Sequence, residues 1–130
     1  YTRSCSSAAS YVYKRQTCII VFPRLIGEEI NNFSKYVNAD CISLSDDMKT
    51  DWILKRMGSQ CLQGGIPPQV LLSERKEEII RGTVPMIRQM KDCAYVVNLA
   101  HGINKETPVE NVRFFIEIVK RNRENITRET

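Results

Sequence analysis

The chain alternates short apolar runs with longer stretches in which apolar residues return every three or four positions. That alternation predicts strands interleaved with amphipathic helices. Cys18 to Phe22 reads as a buried strand closed by Pro23, and Glu28 to Val37 follows with Ile30, Phe33 and Val37 on one helical face. Cys41 to Leu44 is the second strand, and after Ser45-Asp46-Asp47 comes a short helix carrying Trp52, Ile53, Arg56 and Met57. A weaker third strand at Cys61 to Gly64 precedes Pro67-Pro68 and a helix from about Ser73. Its stripe is Ile79, Ile80, Val84 and Ile87, and Pro85 is expected to kink or interrupt it. Ala94 to Leu99 is the fourth strand and Pro108 to Arg121 the last helix.

The last helix has a legible start. Thr107 can accept at the N-cap, Pro108 suits the first helical position, and Glu110 completes a Thr-x-x-Glu capping box. Val109, Val112, Phe115, Ile116 and Val119 form the expected core stripe, opposite Arg113, Glu117, Lys120 and Arg121. Asp46 and Asp47, beyond the second strand, read as capping and first-turn residues of the helix that follows. Four βα units with buried strands imply an α/β fold with parallel strands adjacent in sequence order. That is half the count of a (β/α)8 barrel. In such barrels the chemistry sits at the C-terminal ends of the strands, where Arg24, Gln63 and His101 are expected together.

Tyr1 to Gln16 reads differently, being rich in Ser and Ala without sustained periodicity, and resembles translated adapter sequence. It is expected to lie outside the fold, which would run over 17–124 with a tail at 125–130. Half a barrel leaves two open strand edges, so the chain is expected to be a piece of a longer protein.

Of the 130 residues 42% are hydrophobic, enough for one core and too many for a disordered chain. No apolar stretch approaches the roughly 20 residues that span a bilayer, so no membrane partner is expected. The formal charge is +4, of which Arg3, Lys14 and Arg15 supply three charges from a segment without acids. The remainder mixes both signs without a basic stripe, which argues against nucleic acid. Five cysteines, an odd count without Cys-x-x-Cys, suggest neither a disulfide framework nor a zinc site, and a reducing cytoplasm is the simplest compartment. Four of them fall at or near strand starts, where small buried hydrophobes are ordinary.

Asn98-Leu99-Ala100-His101-Gly102-Ile103 followed by Thr107-Pro108-x-Glu110-Asn111-Val112 resembles the C-terminal signature of the uroporphyrinogen decarboxylase family, Asn-Leu-Gly-His-Gly and then a Pro-x-Asn/His-Val helix start. Leu62-Gln63-Gly64-Gly65-Ile66-Pro67-Pro68 resembles the family's Gln-Gly-Asn/Gly-Leu-Asp-Pro turn, and Phe22-Pro23-Arg24 a Phe-Pro-Arg-Gly segment of one bacterial branch. The three motifs occur in order across Thr17 to Arg123. The resemblance implies a partial TIM barrel, the C-terminal part of a cytoplasmic, homodimeric enzyme. It also implies a cofactor-free removal of four acetate carboxyls from uroporphyrinogen III, giving coproporphyrinogen III for haem synthesis.

Without the resemblance, a lone loop histidine is ordinarily a solvated, idle side chain. With it, His101 is the candidate catalytic and substrate-binding residue, holding a carboxylate arm or delivering a proton. Arg24 offers bidentate pairing to a substrate carboxylate, though an arginine at a strand end is often simply solvated. Gln63 and Gly64 allow close backbone approach to a ligand, or else form a tight turn. Asn98 is expected to orient the His101 turn. Ala100, Pro67, Ser45 and Leu25 stand where the family has glycine, aspartate, aspartate and, in that branch, glycine. The family's pyrrole-gripping aspartate, arginine cluster, and cleft tyrosine and serine belong to a part not present here, so this chain alone is expected to be inactive. A corrinoid or coenzyme-M methyltransferase would need a zinc-binding His-x-Cys, whereas His101 is followed by Gly102 and Ile103. The other rival is a non-catalytic α/β binding module.

Overall fold

The computed structural model describes residues 18–128, with side chains described as far as Asn122. The 1–16 leader lies outside the described residues. Four strands, β1 (Ile20–Val21), β2 (Cys41–Leu44), β3 (Cys61–Gly64) and β4 (Tyr95–Val96), alternate with helices α1 (Ile30–Tyr36), α2 (Thr50–Met57), α3 (Lys76–Gln89) and α4 (Val109–Arg128). One sheet holds the strands in the order β1-β2-β3-β4, every neighbouring pair parallel. This is an α/β partial TIM barrel whose sheet stays open.

The register sorts the side chains. Val21, Ile42, Leu62 and Tyr95 lie in one row, while Ser43, Gln63 and Val96 lie in the next and point to the opposite face. Ile42, Leu44 and Leu62 pack with Ile30 of α1, Ile53 and Met57 of α2, and Met90 just past α3. A second cluster, Ile66, Leu71, Ile79, Leu99 and Ile118, ties the exits of β3 and β4 to α3 and α4.

Several expectations are corrected. The first and last strands are shorter than their apolar runs. Only Ile20 and Val21 pair in β1, where Pro23 brings no N–H and the Ile19 amide donates to Asp40 Oδ2 at 2.8 Å instead. β4 pairs over two residues, and Leu99 makes a separate parallel bridge to Ile66. Helix α3 begins at Lys76, after a 3₁₀ turn at Pro68–Leu72, and continues through Pro85. Arg81, whose carbonyl loses its donor at Pro85, is exposed, so water can satisfy it. Ile80 is exposed and Thr83 takes the inward place between Ile79 and Ile87.

In α4 the inward stripe is also displaced. Ile118 is 6% exposed and packs with Val112, Phe114 and Phe115, whereas Val109 is exposed and Ile116 is 45% exposed. The helix is hydrophobic on more than one flank, so apolar spacing alone could not choose the buried one. Thr107 makes no capping bond, because its hydroxyl has no partner among the described residues. Asp46 and Asp47 do not cap α2 either: Lys49 is its N-cap, and Asp47 accepts from the Ser45 hydroxyl within the turn before it. Of the cysteines at strand starts, Cys41 is buried but Cys18 is exposed.

Ile118→Ala should therefore cost about 2–4 kcal/mol of unfolding free energy, as a cavity in a packed cluster does. Ile116→Ala should stay within about 0.5 kcal/mol. Paired urea denaturation curves check both values.

Candidate functional site

The parallel order delivers Arg24, Gln63, Gly64, Asn98 and His101 to the C-terminal end of the sheet, each on or just after its strand. They do not form one cluster. β1 and β4 are the two outer strands, so Arg24 stands three strand spacings, about 15 Å, from the β4 exit. No hydrogen bond among the described residues links Arg24 to the others, and its side chain is exposed.

Gln63, Gly64, Asn98 and His101 are brought together by the exits of β3 and β4. Gly64 and Gly65 adopt φ of 79° and 88°, the left-handed region that favours glycine. A Cβ on Gly64 would lie 3.0 Å from the Leu99 carbonyl oxygen and 3.3 Å from that of Leu44. Beyond it the Ala100 N–H donates to the Ile66 carbonyl at 2.7 Å, and the Tyr95 hydroxyl donates to the Gly64 carbonyl at 2.6 Å. The glycine turn and the histidine loop are thus one clamped unit. Burial pushes the Tyr95 phenol well above its ordinary pKa of about 10, so the hydroxyl stays a donor.

Alternation places Val96 and Asn98 on the face that Ser43 and Gln63 share, with Tyr95 and Leu99 turned toward the helices. The Gln63 side-chain amide donates to Ser43 Oγ at 3.4 Å. Asn98 Oδ1 accepts the N–H of the next residue, Leu99, at 2.8 Å. His101 is half-buried, with Nδ1 3.1 Å from the Gly102 carbonyl oxygen. A proton on Nδ1 makes that contact a hydrogen bond and leaves Nε2 an acceptor.

The departures from the family pattern are accommodated unequally. Ala100 is buried with a negative φ, so its methyl fits without the left-handed backbone that would demand glycine. Leu25 has φ 58° and is 73% exposed, so a branched side chain sits where the branch has glycine. That conformation costs a non-glycine residue about 1–2 kcal/mol.

Three contributors were missed from the sequence. Ser43 was readable, since a polar residue at an alternate position of β2 must share the face of Gln63. Tyr95 was counted only as part of an apolar run. Asn111 donates both side-chain N–H groups, to the Leu71 carbonyl at 2.8 Å and the Ser73 carbonyl at 2.9 Å, and so anchors the start of α4 beside the β3 exit. Nothing local in the sequence signals that contact, which spans about forty residues.

The profile of the family described as Uroporphyrinogen decarboxylase (URO-D) matches residues 2–122. The chain belongs to the uroporphyrinogen decarboxylase family. Curated relatives bearing the name Uroporphyrinogen decarboxylase include those of Orientia tsutsugamushi (strain Boryong), 31% identical over 102 residues, and Cereibacter sphaeroides, 28% over 104. That of Paracoccus denitrificans is 30% identical over 103 residues. Each alignment covers 78% of this chain and 30% of the relative. The chain therefore spans about 30% of the length of the curated relatives it matches. No helix among the described residues is long and apolar enough to cross a membrane.

Two outcomes follow for this uroporphyrinogen decarboxylase family segment. Gly64→Ala should lose about 2 kcal/mol or more in thermal or urea unfolding, from left-handed backbone plus contact with two carbonyl oxygens. Gly102→Ala, with open space around it, should be nearly neutral. The second outcome concerns pH. A phenol whose folded pKa is raised contributes stability that is present below the unfolded value and lost as pH rises above about 10. Unfolding free energy should therefore fall with pH above 10, and fall less steeply in Tyr95→Phe. Identical slopes would show that Tyr95 does not titrate from a buried site.

Proposed function

We propose that this chain supplies the C-terminal part of a uroporphyrinogen decarboxylase barrel and contributes His101 to its substrate cleft. The observation that carries the reading is the clamped β3–β4 exit, which holds Gln63, Asn98 and His101 at the end of the sheet where barrel enzymes keep their chemistry. Family membership and the relatives' names support the substrate class.

The spacing of the polar groups suits a large polycarboxylate. His101 follows β4 and Arg24 follows β1 three strands away, so a single small acid would not reach both. A porphyrinogen carries carboxylates around its whole rim. In the proposed reaction a protonated pyrrole accepts the electron pair left by each departing carbon dioxide, which the substrate itself provides for without a cofactor. The protein's part is to fix the carboxylate arms and the proton source. His101 is the group here whose imidazole can do either.

A chimera tests this. This chain replaces the matching 102-residue stretch of the Orientia tsutsugamushi relative, and uroporphyrinogen decarboxylation is measured. The chimera should turn over, while His101→Asn should keep the fold and lower kcat/KM roughly tenfold or more. A folded but inactive chimera would overturn the reading. Unchanged kinetics in His101→Asn would leave the histidine a turn residue only.

A further inference from the structure

The turn that leaves β1 combines two unfavourable features in one residue. Leu25 adopts φ 58°, the left-handed region that crowds a Cβ against the following carbonyl oxygen, and its side chain is 73% exposed. An exposed leucine alone is ordinary. A leucine both strained and exposed adds nothing to the stability of the described fold, and glycine or asparagine would hold the same turn with less strain. The turn is nevertheless fixed at both ends. Val21 before it and Ile26 after it pack against the first core cluster, and the Ile26 carbonyl accepts the Glu29 N–H at 3.2 Å. Leu25 belongs to neither cluster.

We propose that Leu25 is a specificity-determining contact of the cleft, meeting the apolar ring of a macrocyclic polycarboxylate while the adjacent Arg24 takes a carboxylate on its rim. The inference rests on the decarboxylase reading and deepens it by naming the residue that meets the ring. Position is the first reason, since the turn lies at the C-terminal end of the sheet with the other candidate residues. Composition is the second. Alternation with Val21, which packs in the core, puts Phe22 on the face of Ser43 and Gln63, and Phe22 is 42% exposed. Arg24 thus stands beside one exposed apolar side chain and two residues from another. That set matches a ligand with an apolar interior and an acidic edge, whereas a small acid has no apolar part for Phe22 or Leu25 to cover. Strain is the third reason. A side chain held in a costly conformation by the packing on either side of it is already in place when the ligand arrives.

The competing role for Leu25 is to pack against the remaining portion of a family barrel. Removal of its side chain would then weaken the assembled protein. A ligand contact behaves in the opposite way: losing the side chain relieves the left-handed strain and stabilises the fold, while binding becomes weaker. A packing role does not move the two quantities in opposite directions.

Both quantities are read on the full chain and on its chimera with the Orientia tsutsugamushi relative. Leu25→Gly and Leu25→Asn, which place residues that tolerate a left-handed backbone, should raise the thermal midpoint of each protein by about 1 °C or more. In the chimera they should also raise KM for uroporphyrinogen about threefold or more, with kcat within about twofold. Leu25→Met keeps the apolar contact and should hold KM within about twofold of the parent. The same order should appear in the chimera's affinity for uroporphyrin, the oxidised macrocycle, measured by fluorescence quenching. Unchanged KM and affinity in Leu25→Gly would overturn the proposal. A lower midpoint of the chimera in that variant would show that Leu25 packs against the rest of the barrel, and would overturn it as well. A chimera that binds uroporphyrin but does not decarboxylate uroporphyrinogen, and loses affinity in Leu25→Gly, would refute the decarboxylase reading and uphold the contact.

Discussion

The close approach of Gly64 to the Leu99 carbonyl oxygen is the contact on which the rest of the candidate site depends. A Cβ at Gly64 would fall 3.0 Å from that oxygen on a left-handed backbone, so glycine is the residue that fits there without strain, and the close approach accompanies the Ile66–Leu99 bridge and the Ala100 N–H bond to the Ile66 carbonyl. From there the geometry propagates in both directions. Upstream it sets Gln63 beside Ser43; downstream it fixes the base of the loop that carries His101. The Tyr95 hydroxyl closes the unit by binding the carbonyl of the same glycine.

That unit rests on packing more than on hydrogen bonds. Ile66 and Leu99 belong to a buried cluster with Leu71, Ile79 and Ile118, so α3 and α4 press on the two strand exits from the helical side. Asn111 adds a polar tie between the start of α4 and the segment after β3. The loop that presents His101 is therefore held at both ends by one core. An exposed loop with a rigid base is the usual arrangement for residues that must meet a ligand in a fixed geometry.

The strands and their order were legible because each apolar run is short, bounded by turn residues and followed by a helical repeat. Parallel pairing in sequence order then follows from short right-handed crossovers. The placement of the candidate residues was legible where a motif carried it, since Gln63-Gly64 and Asn98 to His101 fall at the neighbouring exits of β3 and β4. It was not legible where contacts join distant residues, as with Asn111 and Leu71 or Tyr95 and Gly64. The buried flank of α4 escaped for a different reason: Ile116 and Ile118 are equally apolar, and only tertiary packing distinguishes them. Capping also misled: the Thr107 hydroxyl finds no partner among the described residues, and Asp47 accepts from the Ser45 hydroxyl instead of a helix-end N–H.

The histidine loop is anchored to the β3 exit, and amide hydrogen exchange at Ala100 reads that anchor. Its N–H bonds to the Ile66 carbonyl in the structure, so it should exchange slowly, on the scale of the core strand amides of β2 and β3. Exchange at Ala100 as fast as at the exposed residues 103–106 would show that the loop is free of the sheet.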